Sequence, residues 1–103
     1  MTGTPNRARR PTHPGAVLRN TVLPALKMPV ADAADALGIT RQTLHRIVSE
    51  KASITPDMAV RLGKFCGNGP ELWLGMQQAV DLWDARRRLA KAVEKIPTPE
   101  VAA

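Results

Sequence analysis

The sequence predicts an all-α protein of five helices, the last of them the longest. Three observations predict it. Hydrophobic residues make up 44% of the chain but aromatic residues only 3%, so Leu, Val, Ile, Ala and Met must fill the core, a composition suited to packed helices. Apolar residues recur every three or four positions along most of the chain. Proline, threonine and glycine punctuate these runs where helices start and stop. No strand pattern and no internal repeat are present.

The first helix is read in HPGAVLRNTVLPAL from His13, where Val17, Leu18, Val22 and Leu26 share a face. Pro14 suits a first turn and Pro24 lies near the end. The second follows Pro29 as VADAADAL, with Ala33, Ala34 and Leu37 inward and Gly38 at the C-terminal cap position. Thr40 caps the third, RQTLHRIVSE, which turns Leu44, Ile47 and Val48 inward and Arg41, Gln42, Thr43, His45 and Arg46 elsewhere. Thr55, Pro56 and Asp57 open a fourth helix that runs to about Cys66. After Gly67, Asn68 and Gly69, the fifth begins at Pro70. Its stripe is Leu72, Met76, Ala79, Val80 and Trp83, and it is expected to continue through Arg86, Arg87 and Arg88, with Leu89 and Val93, towards Ile96 before Pro97 stops it.

One domain is therefore expected over residues 13–96. A flexible basic arm precedes it over 1–12 and a disordered tail follows over 97–103. Cys66 is the sole cysteine, which excludes an intrachain disulfide and a cysteine-based metal site. No apolar run approaches the ~20 residues of a membrane span, and the basic start lacks the apolar segment of a signal peptide. The expected location is the cytoplasm, on the nucleoid. Fifteen Lys and Arg against nine Asp and Glu give a net charge of +6, which favours a polyanionic partner. Membrane-surface and ribosomal proteins share that charge, so a motif must decide.

The motif lies at residues 30–49. Two short helices joined through Gly38, Ile39 and Thr40 form a helix-turn-helix, in which the second helix enters the DNA major groove. Ala34 allows close approach, Gly38 supplies the left-handed turn, and Leu37, Ile39, Leu44 and Ile47 close the small core between the helices. The same residue types would also serve a plain helical hairpin. The exposed side of the third helix separates the two readings: Gln pairs with adenine, Arg with guanine, and Thr touches phosphate or a thymine methyl.

The stretch HPGAVLRNTVLPAL, followed by DALGITRQTLHRIVSEKASITPDMAVRLGKFCGNGPELWLGMQQAVDLW, resembles the HigA-type antitoxins, VapI-like members of the Xre/Cro-like helix-turn-helix proteins. The resemblance covers His13 to Trp83. It implies a five-helix, lambda-repressor-like domain, usually dimeric, that binds its own operator and neutralises a RelE-like ribonuclease toxin. Matched by position, Thr40, Arg41, Gln42, Thr43, His45 and Arg46 inherit the recognition-helix role. Gln42 and Arg46 are the expected base readers, Thr40 and Thr43 the phosphate or methyl contacts, and Arg41 either. Many relatives start the second helix with a Gln that grips the DNA backbone, whereas this chain has Val30. Lys51 and Ser53, in the loop after the recognition helix, are the candidates to replace that grip.

Neither an enzyme nor a cofactor is expected, because His13 and His45 lack the acids, cysteines or phosphate loop that chemistry would need. His13 is read as a local hydrogen-bonding group at a helix start. Trp73 is read as core. Trp83 with Met76, Val80 and Leu89 either packs internally or forms a two-fold contact, and a homodimer through the C-terminal helix is the reading taken. Arg86, Arg87 and Arg88 form either a solvated face or a DNA contact. Arg7, Arg9 and Arg10 would reach either DNA or an acidic partner. A basic toxin would meet Glu71, Asp81 and Asp84 or the apolar stripe. The competing functional readings are a stand-alone repressor without a toxin and a protein-interaction module with a vestigial motif.

Overall fold

The computed structural model describes residues 9–100, and the expected arm over 1–12 and tail over 97–103 fall partly outside them. The described residues form helices and loops. Helix α1 runs in three consecutive pieces, Pro14–Val17, a π-helical turn Leu18–Val22, and Leu23–Leu26. The π-turn has a local cause. Pro24 has no N–H and its ring crowds the carbonyl four residues back, so the helix widens and the Leu23 N–H bonds to the Leu18 carbonyl five residues earlier. The helix ends at Lys27, a non-glycine residue in the left-handed region at φ 53°.

Helices α2 (Val30–Leu37) and α3 (Arg41–Val48) follow, then α4 (Pro56–Cys66) and α5 (Pro70–Arg88). Helical hydrogen bonding does not run unbroken to Ile96. Leu89 departs from helical geometry at φ −99°, ψ 7°, and a short α6 (Ala90–Glu94) carries on beyond it. Three adjacent arginines precede this break, and none of the described residues after it is buried, so no packing among them holds a straight continuation.

The core is one cluster to which every helix but α6 contributes. Leu18 and Leu23 come from α1; Ala33, Ala34 and Leu37 from α2; Leu44, Ile47 and Val48 from α3. Met58, Ala59 and Leu62 of α4, Trp73 of α5 and the loop residue Ile54 complete it. Burying a Leu or Ile side chain is worth about 1.5–3 kcal/mol, so this cluster outweighs any single polar contact in the fold. On α5 the buried positions are Trp73, Gln77 and Val80, whereas Leu72 is exposed. The inward face is thus rotated from the expected stripe by about one residue, and a glutamine occupies a core position. Trp73 is buried as expected, with its indole N–H donating to Asn68 Oδ1 at 3.0 Å.

Gly15 places α1 directly on α3. A Cβ at that position would collide with the backbone carbonyl oxygen of Ile47, so only glycine permits this approach. His13 caps α1, its Nδ1 accepting the Gly15 N–H at 2.9 Å, and the residue is 5% exposed. Histidine, proline and glycine at positions 13–15 therefore form one device: cap, first-turn residue and contact surface.

Candidate nucleic-acid interface

The turn between α2 and α3 begins at Gly38, at φ 73°, ψ 33°. Its N–H donates to the Asp35 carbonyl at 3.2 Å, and the next N–H, of Ile39, donates to the Ala34 carbonyl at 3.0 Å. This is a Schellman closure, and it satisfies carbonyls that the helix end would leave open. Arg61 of α4 adds a third partner, donating from Nη1 to the Leu37 carbonyl at 2.8 Å. A cation at the negative end of the α2 dipole also contributes favourably.

Thr40 then caps α3, its hydroxyl oxygen accepting the Thr43 N–H at 3.1 Å. The same hydroxyl donates its proton to Thr43 Oγ1 at 2.8 Å, which leaves the Thr43 proton free for an external acceptor. With Leu44, Ile47 and Val48 buried, α3 exposes Thr40, Arg41, Gln42, Thr43, His45 and Arg46 together. Lys51 and Ser53 are exposed in the loop that follows. All eight sequence-predicted residues thus lie on solvent-facing positions of one motif and its flanking loop. Val30 is half-buried and packs against the core, so it serves α2 as an apolar residue.

That loop is held from two sides that sequence reasoning missed. Gln77 Oε1 accepts the Ile54 N–H at 2.8 Å, and Gln77 Nε2 donates to Asp81 Oδ1 at 2.9 Å. The amide thereby fixes the loop bearing Lys51 and Ser53 to α5. At the other side, α3 ends through Glu50, a second non-glycine residue in the left-handed region, at φ 65°. The Arg46 carbonyl accepts the N–H groups of both Lys51 (2.8 Å) and Ala52 (3.1 Å). A glutamine between Trp73 and Val80 at core spacing was the available signal for the first contact; nothing local signalled the second.

Arg10 is also placed differently from a freely reaching arm. Its guanidinium forms a bidentate pair with Asp84 of α5, both bonds 2.8 Å, and lies 3.7 Å from Glu50. The hydrogen bond from Arg10 holds the Asp84 carboxyl below its ordinary pKa. Of the three expected acidic contacts, Asp84 is therefore engaged within the chain and Asp81 takes a bond from Gln77, while Glu71 is exposed. Arg87 stacks over the Trp83 ring at 4.8 Å, and Arg86 and Arg88 are exposed. Arg7 lies outside the described residues. Among the described residues no helix is long and apolar enough to cross a membrane.

The Schellman turn at Gly38, the capped α3 and its polar outer face define a helix-turn-helix protein. The helix-turn-helix family model matches residues 19–74. An uncharacterised helix-turn-helix-type transcriptional regulator of Haemophilus influenzae is 40% identical over 76 residues, which is 74% of this chain and 71% of that protein. Antitoxin HigA-1 of Vibrio cholerae is 36% identical over 80 residues, 78% of this chain and 75% of that protein. The solved structure of Pseudomonas aeruginosa antitoxin HigA with the higBA promoter aligns at a TM-score of 0.83 and 33% identity, covering 89% of this chain and all of the other. The chain belongs to the HigA-type antitoxins of the Xre/Cro-like helix-turn-helix family, a family of DNA-binding regulators and not of enzymes.

Proposed function

We propose that this chain represses its own operon by binding operator DNA through α3 and neutralises a RelE-like ribonuclease toxin through a separate surface. The observation that carries the DNA reading is the joint exposure of Thr40, Arg41, Gln42, Thr43, His45 and Arg46 on a helix whose other face is locked into the core. Gln42 and Arg46 read base edges. Thr43, with its hydroxyl proton free, donates to a phosphate, Thr40, whose own proton goes to Thr43, offers its methyl group, and Arg41 contacts base or backbone. Lys51 and Ser53 hold the flanking phosphates in place of the glutamine that Val30 replaces. The Pseudomonas aeruginosa HigA structure with its promoter supports this use of the fold.

Two copies act together through the end of the chain. Leu82, Leu89, Val93 and Ile96 are 52%, 43%, 52% and 66% exposed on α5, α6 and the residues after them. A two-fold contact along this stripe would set two recognition helices on half-sites about one DNA turn apart. The toxin surface is separate, with Glu71 available to a basic partner. The protein works where its operator lies, in the cytoplasm on the nucleoid, with the folded core over 13–96 between its arm and its tail.

A band-shift on the promoter upstream of its own reading frame tests the DNA role. Gln42→Ala and Arg46→Ala are each expected to weaken binding by about 1–3 kcal/mol. Wild-type affinity in both variants would remove α3 as the reading helix. Co-expression with the neighbouring small reading frame tests the toxin role by co-purification and relief of toxicity. A repressor without a toxin is the second reading, favoured by the Haemophilus influenzae relative, which is described only as a transcriptional regulator.

A further inference from the structure

Glu50 stands where a helix end normally has glycine. It follows α3 at φ 65°, its N–H donates to the Ile47 carbonyl at 3.0 Å, and the Lys51 N–H donates to the Arg46 carbonyl at 2.8 Å, a Schellman closure. Two local effects oppose glutamate here. A side chain with a Cβ is strained in the left-handed region, and a carboxylate faces the negative end of the α3 dipole. Glycine would remove both costs.

Two arginines from distant parts of the chain meet this carboxylate. Arg19 of α1 approaches Glu50 Oε2 with Nη1 and Nη2, both at 3.3 Å, and its Nη1 also donates to the Val48 carbonyl in the last turn of α3. Arg10 lies 3.7 Å from Glu50 Oε1 while holding Asp84 of α5 by two bonds. The alternating order Arg19, Glu50, Arg10, Asp84 thus ties the end of α3 to α1, to the segment before α1 and to α5. Exposed ion pairs add little stability, so stability alone does not account for a strained glutamate at this position.

We propose that Glu50, with Arg10 and Arg19, is a positioning residue for operator reading: the four-residue network fixes the end of α3 on the domain. This rests on the operator-binding role proposed above. Arg46 precedes the network by one helical turn and Lys51 and Ser53 follow it directly, so a shift at Glu50 moves one base reader and both proposed phosphate contacts. None of the four needs to touch DNA.

Stability and function are expected to move in opposite directions when Glu50 is replaced, which separates positioning from a structural role. Removing a negative charge strengthens attraction to any duplex, so the decisive quantity is the ratio of affinities for the promoter duplex and for a scrambled duplex of equal length. Glu50→Gly is expected to keep or raise the melting temperature and to lower that ratio by roughly three- to ten-fold. Arg10→Ala is expected to lower it similarly, and the double variant no further than the larger single effect, because both act through one network. Glu50→Asp, which keeps the charge, is expected to recover part of the ratio. A wild-type ratio in Glu50→Gly, or fully additive losses in the double variant, would overturn the proposal. Failure of the wild-type chain itself to prefer its promoter would instead sink the operator-binding role.

Discussion

Gln77, in the middle of α5, accepts the Ile54 backbone N–H at 2.8 Å across 23 residues of chain. This bond is buried, and it joins the longest helix to the loop that leaves α3. Its loss should therefore be felt twice, in stability and at the DNA surface. Gln77→Leu keeps much of the volume but strands a buried N–H, a cost of about 1–3 kcal/mol. Chemical denaturation should report the loss as a lower midpoint at unchanged slope, and a midpoint equal to wild type would mean that the loop finds another acceptor.

Gly15 is the tightest seam between α1 and α3. Gly15→Ala puts a methyl into the Ile47 carbonyl, and neither backbone can yield without moving a core helix. A loss of about 3 kcal/mol or more is expected, at or above the upper end for overpacked sites. Thermal melting of the variant decides the point; a change within a few degrees would show that α1 can slide.

His13 gives stability a pH dependence of known sign. Burial disfavours its imidazolium and lowers its pKa from 6.5; Arg10 pushes the same way, while Glu50, Asp81 and Asp84 oppose and are outweighed. In the unfolded chain His13 takes up a proton near pH 6.5 that the folded chain resists. Its contribution is therefore complete above that pH and is lost as the pH falls below it. Nδ1, which must be unprotonated to accept the Gly15 N–H, links this loss to the cap of α1. His13→Asn retains a capping acceptor without titrating, so its stability should lose the His13 part of the slope as the pH falls below 6.5. An identical pH profile for variant and wild type would assign the slope to other groups.

Lys27 ends α1 in the left-handed region, and its side chain is exposed. Its N–H and that of Met28 already close the helix on the Pro24 and Leu23 carbonyls at 3.0 and 3.1 Å, bonds that glycine would preserve. Lys27→Gly is expected to stabilise the protein by about 0.5–1 kcal/mol, the relief of strain exceeding the added freedom of the unfolded chain. Calorimetry showing a lower melting temperature would mean that the lysine stem contributes packing at the end of α1.

The helices up to the break at Leu89, the turn at Gly38 and the outward face of α3 were legible in the sequence, because each depends on neighbours within a few positions. Thr40 and Thr55 cap by bonding N–H groups three residues on, and Gly38 meets a local backbone requirement. Leu44, Ile47 and Val48 point inward by helical spacing alone, which settles that Arg41, Gln42, His45 and Arg46 point outward. The register of α5 was less accessible. Its apolar residues are spread around the helix, and the choice of Trp73, Gln77 and Val80 over Leu72 was made by contact with the other helices.

Tertiary structure alone decided what holds α3 in place. Gly15 against Ile47, Arg61 on the Leu37 carbonyl, Gln77 on Ile54, and Arg10 between Asp84 and Glu50 join residues 23 to 74 positions apart. Such pairs leave no periodic trace, since hydrogen bonds and ion pairs depend on where the folded chain brings two groups together. The sequence by itself therefore determined that α3 is a capped helix with a polar, DNA-suited face. How that helix is fastened at its far end emerged only when α1, α5 and the segment before α1 met around Glu50.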